Sequence, residues 1–331
     1  PGPILSVVIN CRNQLKNTKF TLLALMDQAP DVAHEIIVVD GGSTDGTAQF
    51  LAGLAAEGKI RAILEQEGKG RTQARNHGAH AAAGQYLMFL DPGMIVGPGW
   101  WESLVHTLEM DPQVGAAAGK VILPDGRLDH AGLALLEWWG EGEDEQKKAY
   151  GTNLTARSIL AGRNADDPRS NRNLQVQALC GEALMVRAEP FFAVGGFSAR
   201  LGRRHAQPKI PCEGEPAGVD LCLRLGSRGW DCIYRHESIM TRLGTAVGEA
   251  GIAGAAVSSR QQEIFNGTWL GRARGDFRIV PGQGTLPAAD KSIHVYIEPV
   301  ISFTAREDAP GKAPVWSPGL RGMSTVVMAL G

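Results

Sequence analysis

No apolar run in this chain approaches the roughly 18 residues that a membrane-crossing helix needs, and no secretory leader pattern is present, so a soluble protein is expected. Cysteine is scarce and unpaired. The five are Cys11, Cys180, Cys212, Cys222 and Cys232, an odd number with no Cys-x-x-Cys. No nearby histidine or cysteine completes a four-ligand zinc set, so they read as structural thiols in a reducing compartment. Charge of one sign is also lacking. The net charge of −2 argues against the basic face of a dedicated nucleic-acid binder. No Gly-x-Gly-x-x-Gly follows a strand-like run, which disfavours an NAD-type dinucleotide fold. Gly53-Leu54-Ala55-Ala56-Glu57-Gly58-Lys59 fills the first seven places of a P-loop, but Ile60 stands where Ser or Thr would reach Mg²⁺. That stretch also follows a helix, where a P-loop follows a strand. No internal repeat is found.

What is present is apolar residues, at 44% of 331, and 42 glycines. This is enough for one large α/β domain or two small ones, with many tight turns. Ile4 to Ile9 reads as a buried strand, Leu15 to Gln28 as an amphipathic helix, and Glu35 to Val39 as a second strand. Ser43 to Thr47 supplies capping side chains for a helix from Ala48 to Ala56. Ile60 to Glu65 is a third strand, Arg71 to Ala83 a helix, and Tyr86 to Leu90 a fourth strand. This β-α-β-α-β-α-β order predicts an α/β fold with a doubly wound, mostly parallel sheet flanked by helices. A helix running to Glu109 and a strand from Val114 to Leu123 follow. From Glu137 to Arg172 periodicity fails, and a long surface excursion is expected. Trp138 and Trp139 open it, as packing residues or as a platform for a sugar ring. Val176 to Arg187 reads as a strand, Glu189 to Val194 and Val219 to Arg228 as helices, Asp231 to Tyr234 as a strand, and Gln261 to Arg272 as a last helix. His236 reads as a loop residue.

Two of these strands stop abruptly at an aspartate, Asp40 before Gly41-Gly42 and Asp91 before Pro92-Gly93. In a parallel sheet the carboxyl ends of the strands form the edge where ligands bind. Two carboxylates at two such ends therefore suggest one shared site for a polar, phosphorylated ligand.

The blocks around these ends, in their order and spacing, resemble family 2 glycosyltransferases of the GT-A fold. They are Ser6 to Gln14, Glu35 to Thr47, Ala74-Arg75-Asn76-His77-Gly78, Gly84 to Asp91, Cys180 to Arg187 with Val194-Gly195-Gly196-Phe197, and Val219 to Leu225. Pro124-Asp125-Gly126-Arg127 with His130-Ala131-Gly132 is similar to the rhamnosyltransferase-like branch. The resemblance spans about Ile4 to Gly275, and implies a GT-A-like domain over 1–275 with a tail or extension over 276–331. It implies transfer of a sugar from a nucleotide-diphosphate donor, with inversion, to a glycan or other hydroxyl acceptor. Asp40 would hold the base edge, with Asn13, Gly41 and Ser43 lining the same pocket. Arg71, Arg75 and Asn76 would meet phosphate or other polar nucleotide atoms.

The sequence also departs from the family pattern. The metal motif of the family is Asp-x-Asp, holding Mg²⁺ or Mn²⁺ against the diphosphate. Here it reads Asp91-Pro92-Gly93, leaving Asp91 as the metal residue of a weakened site. The Glu-Asp pair that supplies the base is replaced by Ala217-Gly218. Glu215, with Glu213 beside it, is then the nearest candidate base. Asp220 is the second candidate, its other reading being a helix N-terminal residue. Arg242 stands near the place of a later histidine of the family and could neutralise a diphosphate in place of metal. The alternative to an enzyme is a catalytically inactive module of the same fold that binds a nucleotide, glycan or protein partner. A nucleotidyltransferase on a related fold would want a glycine-rich phosphate loop after the first strand, and Asn10 to Gln14 is not one. No nucleic-acid partner and no transmembrane segment are expected. The expected location is cytoplasmic, with the inner membrane surface as an alternative.

Overall fold

The computed structural model describes residues 2–65, 70–140, 151–202, 216–243, 259–273, 275–280 and 296–299. In chain order the first half is β1 (Leu5–Cys11), α1 (Leu15–Asp27), β2 (His34–Asp40), α2 (Thr47–Ala56), β3 (Arg61–Leu64), α3 (Arg71–Ala81) and β4 (Tyr86–Leu90). Then come β5 (Met94–Val96), α4 (Glu102–Met110), β6 (Val114–Ile122), β7 (Leu128–His130), β8 (Leu133–Gly140) and β9 (Gly151–Ser158). The rest is β10 (Leu174–Val176), β11 (Ala183–Arg187), α5 (Ala188–Ala193), α6 (Pro216–Gly226), β12 (Asp231–Arg242), α7 (Ser259–Trp269), β13 (Phe277–Val280) and β14 (Tyr296–Pro299).

The main sheet runs β10-β12-β6-β11-β4-β1-β2-β3, with β5 and β7 paired to β12 and β6. The half from β4 to β3 is parallel, and β11 enters antiparallel between β4 and β6. The fold is thus a mixed, mostly parallel α/β sheet with helices packed on it. Its strands are apolar on both faces, as a covered sheet requires. In β4, Tyr86, Met88 and Leu90 pack into one core while Leu87 and Phe89 pack into the other. Val7, Val8 and Ile9 of β1 are fully buried, each worth about 1.5–3 kcal/mol relative to exposure. Phe89, Phe191 and Phe197 meet at ring-centroid distances of 4.8–5.6 Å and fasten α5 to the sheet.

The described residues of the stretch expected to be an excursion include regular structure. β8 and β9 form an antiparallel hairpin in a second sheet, ordered β14-β13-β8-β9. Leu154 and Ala156 of β9 are buried in the core, and Asn266 of α7 accepts the Leu154 N–H. Side-chain packing against α7 therefore makes a strand where the periodicity is too short to reveal one. The backbone of Trp138 and Trp139 lies in β8, opposite Asn153 and Thr152, while their side chains lie outside the described residues. Asp276 is buried and accepts hydrogen bonds from Leu135 N and Gln177 Nε2, just ahead of β13. The run from Val176 to Arg187 splits into β10 and β11, and β12 extends well past Tyr234. His236 therefore sits in a strand, where Asn173 Oδ1 meets its backbone N–H and its ring. Among the described residues, no helix is long and apolar enough to cross a membrane.

Candidate functional site at the carboxyl edge of the sheet

Strand order reverses at β1, since β2 and β3 lie on one side of it and β4 on the other. In open α/β sheets the crevice at such a switch point is where ligands bind. Both strand-ending aspartates stand there. Asp40 is paired across from Cys11, and Asp91 follows directly on Leu90, which pairs with Ile9.

On the β2 side, Asp40 is 1% exposed and closes the turn that follows it. Ser43 N–H donates to it at 3.2 Å and the Ser43 hydroxyl donates to the same oxygen. The Cys11 thiol approaches that oxygen at 4.0 Å, and burial, together with Asp40, pushes the thiol up to about 12. Asn13, in the left-handed region at φ 52°, donates its N–H to Ser43 Oγ at 2.8 Å and accepts Thr44 N–H at 2.7 Å. Asn13, Asp40, Gly41 and Ser43 thus come together as one knot joining the β1 and β2 loops. Asp45 extends it. Its carboxylate accepts Thr47 Oγ1 and N–H at the start of α2 and Leu15 N–H at the start of α1. These bonds hold its pKa below the usual carboxylate range, the Thr47 hydroxyl most of all.

On the β4 side, Arg71 and Arg75 lie one turn apart on α3 and both reach Asp91. Arg75 Nη2 is 2.8 Å from Oδ1, and Arg71 Nη1 is 3.1 Å from Oδ2. Arg75 is fully buried with its guanidinium 5.1 Å from the Phe197 ring centre, whereas the Arg71 side chain is 25% exposed. Asn76 does not join them. Its amide bonds both ways to the Phe197 backbone, at 2.8 and 2.9 Å, and so anchors α3 to the turn after α5.

Behind Asp91 lies a second charged group that the sequence reading left without a role. Asp91 N–H donates to the Glu182 carbonyl at 2.9 Å, where β11 meets β4. The buried Glu182 carboxylate is ion-paired with Arg242, and Arg242 Nε also bonds Asp129 Oδ2 at 2.7 Å. Burial alone would raise the Glu182 carboxyl, but Arg242, with Arg71 beyond it, offsets this and holds it at about 2. Burial likewise opposes the charge of Arg242, and Glu182 and Asp129 keep it ionised. His130, on β7 beside them, is buried with both ring nitrogens unpartnered, and burial lowers its pKa. One signal for Glu182 was available: it is the lone acid at the entrance to an apolar strand. His130 belongs to a block that carries the resemblance and Asp129 directly precedes it, and only the fold shows that Arg242 returns to Asp129.

Glu213 and Glu215 lie outside the described residues. Asp220 is 3% exposed; its Oδ1 accepts Trp269 Nε1 at 2.9 Å and its Oδ2 accepts Arg224 Nε and Nη2 at 2.9 and 2.7 Å. This carboxylate straps α6 to α7. A side chain on Gly218 would stand 2.6 Å from Gly181 N, so the helix packs there as glycine.

Asp91 does not fit a divalent ion. Both of its oxygens are taken by guanidinium groups, and Gly93, two residues on, offers no carboxylate and lies at φ 97°. Gly93 N–H donates to Thr21 Oγ1, and its carbonyl accepts Leu243 N–H. Among the described residues, no group of three or more His, Cys, Asp or Glu is placed to hold a metal ion.

The profile of Glycosyl transferase family 2 matches residues 6–159. Validoxylamine A glucosyltransferase of Streptomyces hygroscopicus subsp. limoneus is 33% identical over 328 residues, covering 89% of this chain and 70% of that one. The chain belongs to glycosyltransferase family 2. Two solved structures share the fold of this family 2 chain at 16% identity. GalNAc-T7 with UDP, GalNAc and Mn²⁺ has a TM-score of 0.56 and covers 81% of this chain and 48% of its own. Mannosyltransferase PcManGT from Pyrobaculum calidifontis, with GDP-Man and Mn²⁺, has a TM-score of 0.51 and covers 75% and 59%. Other family relatives are longer. The chain spans 25% of an uncharacterized protein of Sinorhizobium fredii and 37% of a putative polypeptide N-acetylgalactosaminyltransferase of Drosophila melanogaster.

Proposed function

We propose that this glycosyltransferase-family chain transfers a sugar from a nucleotide-diphosphate donor to a hydroxyl acceptor by single displacement with inversion. The observation that carries the reading is the pairing of two polar clusters across the sheet's switch point. The Asn13–Asp40–Ser43 knot suits the hydrogen-bonding edge of a base, and Asp40 Oδ2 carries only a long bond from Ser43 N–H, at 3.4 Å. The Arg71–Arg75–Asp91 cluster suits the polar and phosphate atoms of the same donor. Both structural neighbours were solved with a nucleotide, and the relative of 33% identity is named for glucosyl transfer. A glucosyl donor is therefore the first to test. Glu215 is the proposed base, because a hydroxyl nucleophile needs a carboxylate to take its proton and Asp220 is engaged by Trp269 and Arg224.

One observation favours a second reading, a module that binds nucleotide, glycan or a protein partner without turnover. Gly93 and Gly218 stand where the resemblance expects carboxylates, and a side chain on Gly218 would press on the Gly181 backbone. Incubation with UDP-glucose, GDP-glucose and TDP-glucose separates the two. The enzyme reading expects release of one nucleoside diphosphate, a product of inverted anomeric configuration by NMR, and loss of both in Glu215→Gln. Nucleotide binding without release from these donors, or from their mannose and N-acetylhexosamine counterparts, supports the module instead.

A further inference from the structure

Divalent Mg²⁺ sits among oxygen ligands at about 2.0–2.1 Å, and hard cations of this kind need several such ligands. The end of β4 does not offer them. Asp91 gives one oxygen to Arg75 and the other to Arg71, and the nearby carboxylates of Glu182 and Asp129 are bound to Arg242. The missing second carboxylate is not one substitution away. Gly93 lies in a left-handed conformation, with both its backbone polar groups bonded to neighbours, and a side chain there would stand 3.2 Å from the Leu243 carbonyl. A dication arriving at Asp91 would also meet two guanidinium charges already seated on it.

We infer that this chain binds the diphosphate of its donor without a divalent cation, with Arg71 as the group that meets the phosphate oxygens. The inference rests on the nucleotide-diphosphate reading above. Charge is distributed to suit it. Two guanidinium groups meet at the single Asp91 carboxylate, while Arg242 is held by Glu182 and Asp129. The two arginines on Asp91 differ in burial. Arg75 is sealed under Phe197 and holds Asp91 Oδ1, whereas Arg71 is a quarter exposed at the first turn of α3. A phosphate arriving at this edge would reach the exposed part of Arg71, while Arg75 keeps Asp91 paired. A guanidinium offers a planar fork for two phosphate oxygens, and the first turn of α3 adds favourable dipole.

Calorimetry of the full chain with UDP, GDP and TDP, first in EDTA and then in saturating Mn²⁺, tests this. The expected result is binding of at least one nucleotide with an affinity unchanged within about threefold by the metal. Stronger tightening by Mn²⁺, abolished in Asp91→Ala, overturns the inference and leaves the nucleotide reading intact. Binding of none of the three in either condition overturns both. For the nucleotide that binds, Arg71→Ala is expected to weaken the diphosphate at least tenfold and the monophosphate less. Equal losses for the two would assign Arg71 a purely structural role and overturn the phosphate assignment. A melting curve matching that of the parent verifies the fold of the variant.

Discussion

Replacing Glu182 with glutamine tests the buried charge cluster most sharply. Glu182 titrates at about 2 in the fold, against roughly 4.3 for an unperturbed glutamate. At about 1.36 kcal/mol per pKa unit, the difference corresponds to roughly 3 kcal/mol of folding stability. The group is fully buried, so solvent screening takes little from that figure. Because the folded pKa is depressed, the contribution is fully present above about pH 4.3. It is lost as the pH falls toward 2. Glutamine keeps a carbonyl that can accept from Arg242, and Asp129 remains on Arg242 Nε, so the expected loss at pH 7 is about 2–3 kcal/mol. Urea unfolding of both proteins, followed by circular dichroism at pH 7 and again near pH 2, reads this directly. The gap between them should close at the lower pH. Equal stabilities at pH 7, or a gap that does not change with pH, would refute the argument.

Other expectations follow from the same contacts. Asp220→Ala removes the acceptor for Trp269 and Arg224, and should cost about 2–4 kcal/mol in denaturant unfolding while leaving nucleotide affinity within about threefold. Lost affinity or turnover at unchanged stability would instead make Asp220 a site residue. Gly218→Ala places a methyl against Gly181 and should destabilise by about 1–3 kcal/mol, measured the same way; an unchanged midpoint would contradict the packing. Cys11, Cys180, Cys222 and Cys232 are all buried, and burial first, then Asp40, pushes the Cys11 thiol up to about 12. Native protein at pH 8 should leave these four unlabelled by a disulfide reagent, as mapped by mass spectrometry; rapid labelling of Cys11 would contradict its burial.

The parallel half of the sheet was legible because its strands are unbroken apolar runs, β-branched before Asp40 and aromatic and aliphatic before Asp91, a pattern set by local covalent and packing rules. The Arg71–Arg75 pair was legible for a similar reason, since two residues four apart on a helix share a face. What escaped was non-local. β5 and β7 are three residues each and exist only because β12 and β6 offer edges to pair with. The β8–β9 hairpin owes its burial to α7, more than a hundred residues further on by contact with Asn266. The pairing of Arg242 with Glu182 joins strands that no local spacing connects, so its meaning for Asp91 emerges only in three dimensions. Asp220 shows the converse. Its place on a helix was readable, but α6 begins at Pro216, so Asp220 lies past the first turn and not at the helix start, and the Trp269 and Arg224 that occupy it were not readable.

The central claim is that a nucleotide binds across the carboxyl ends of β1, β2 and β4. Hydrogen exchange with and without the nucleoside diphosphate that calorimetry selects tests it most directly. The account predicts slowed exchange around Cys11 to Asn13, Asp40 to Ser43, Arg71 to Asn76 and Asp91 to Gly93. Slowing confined to other parts of the chain, with these four segments unchanged, would contradict it.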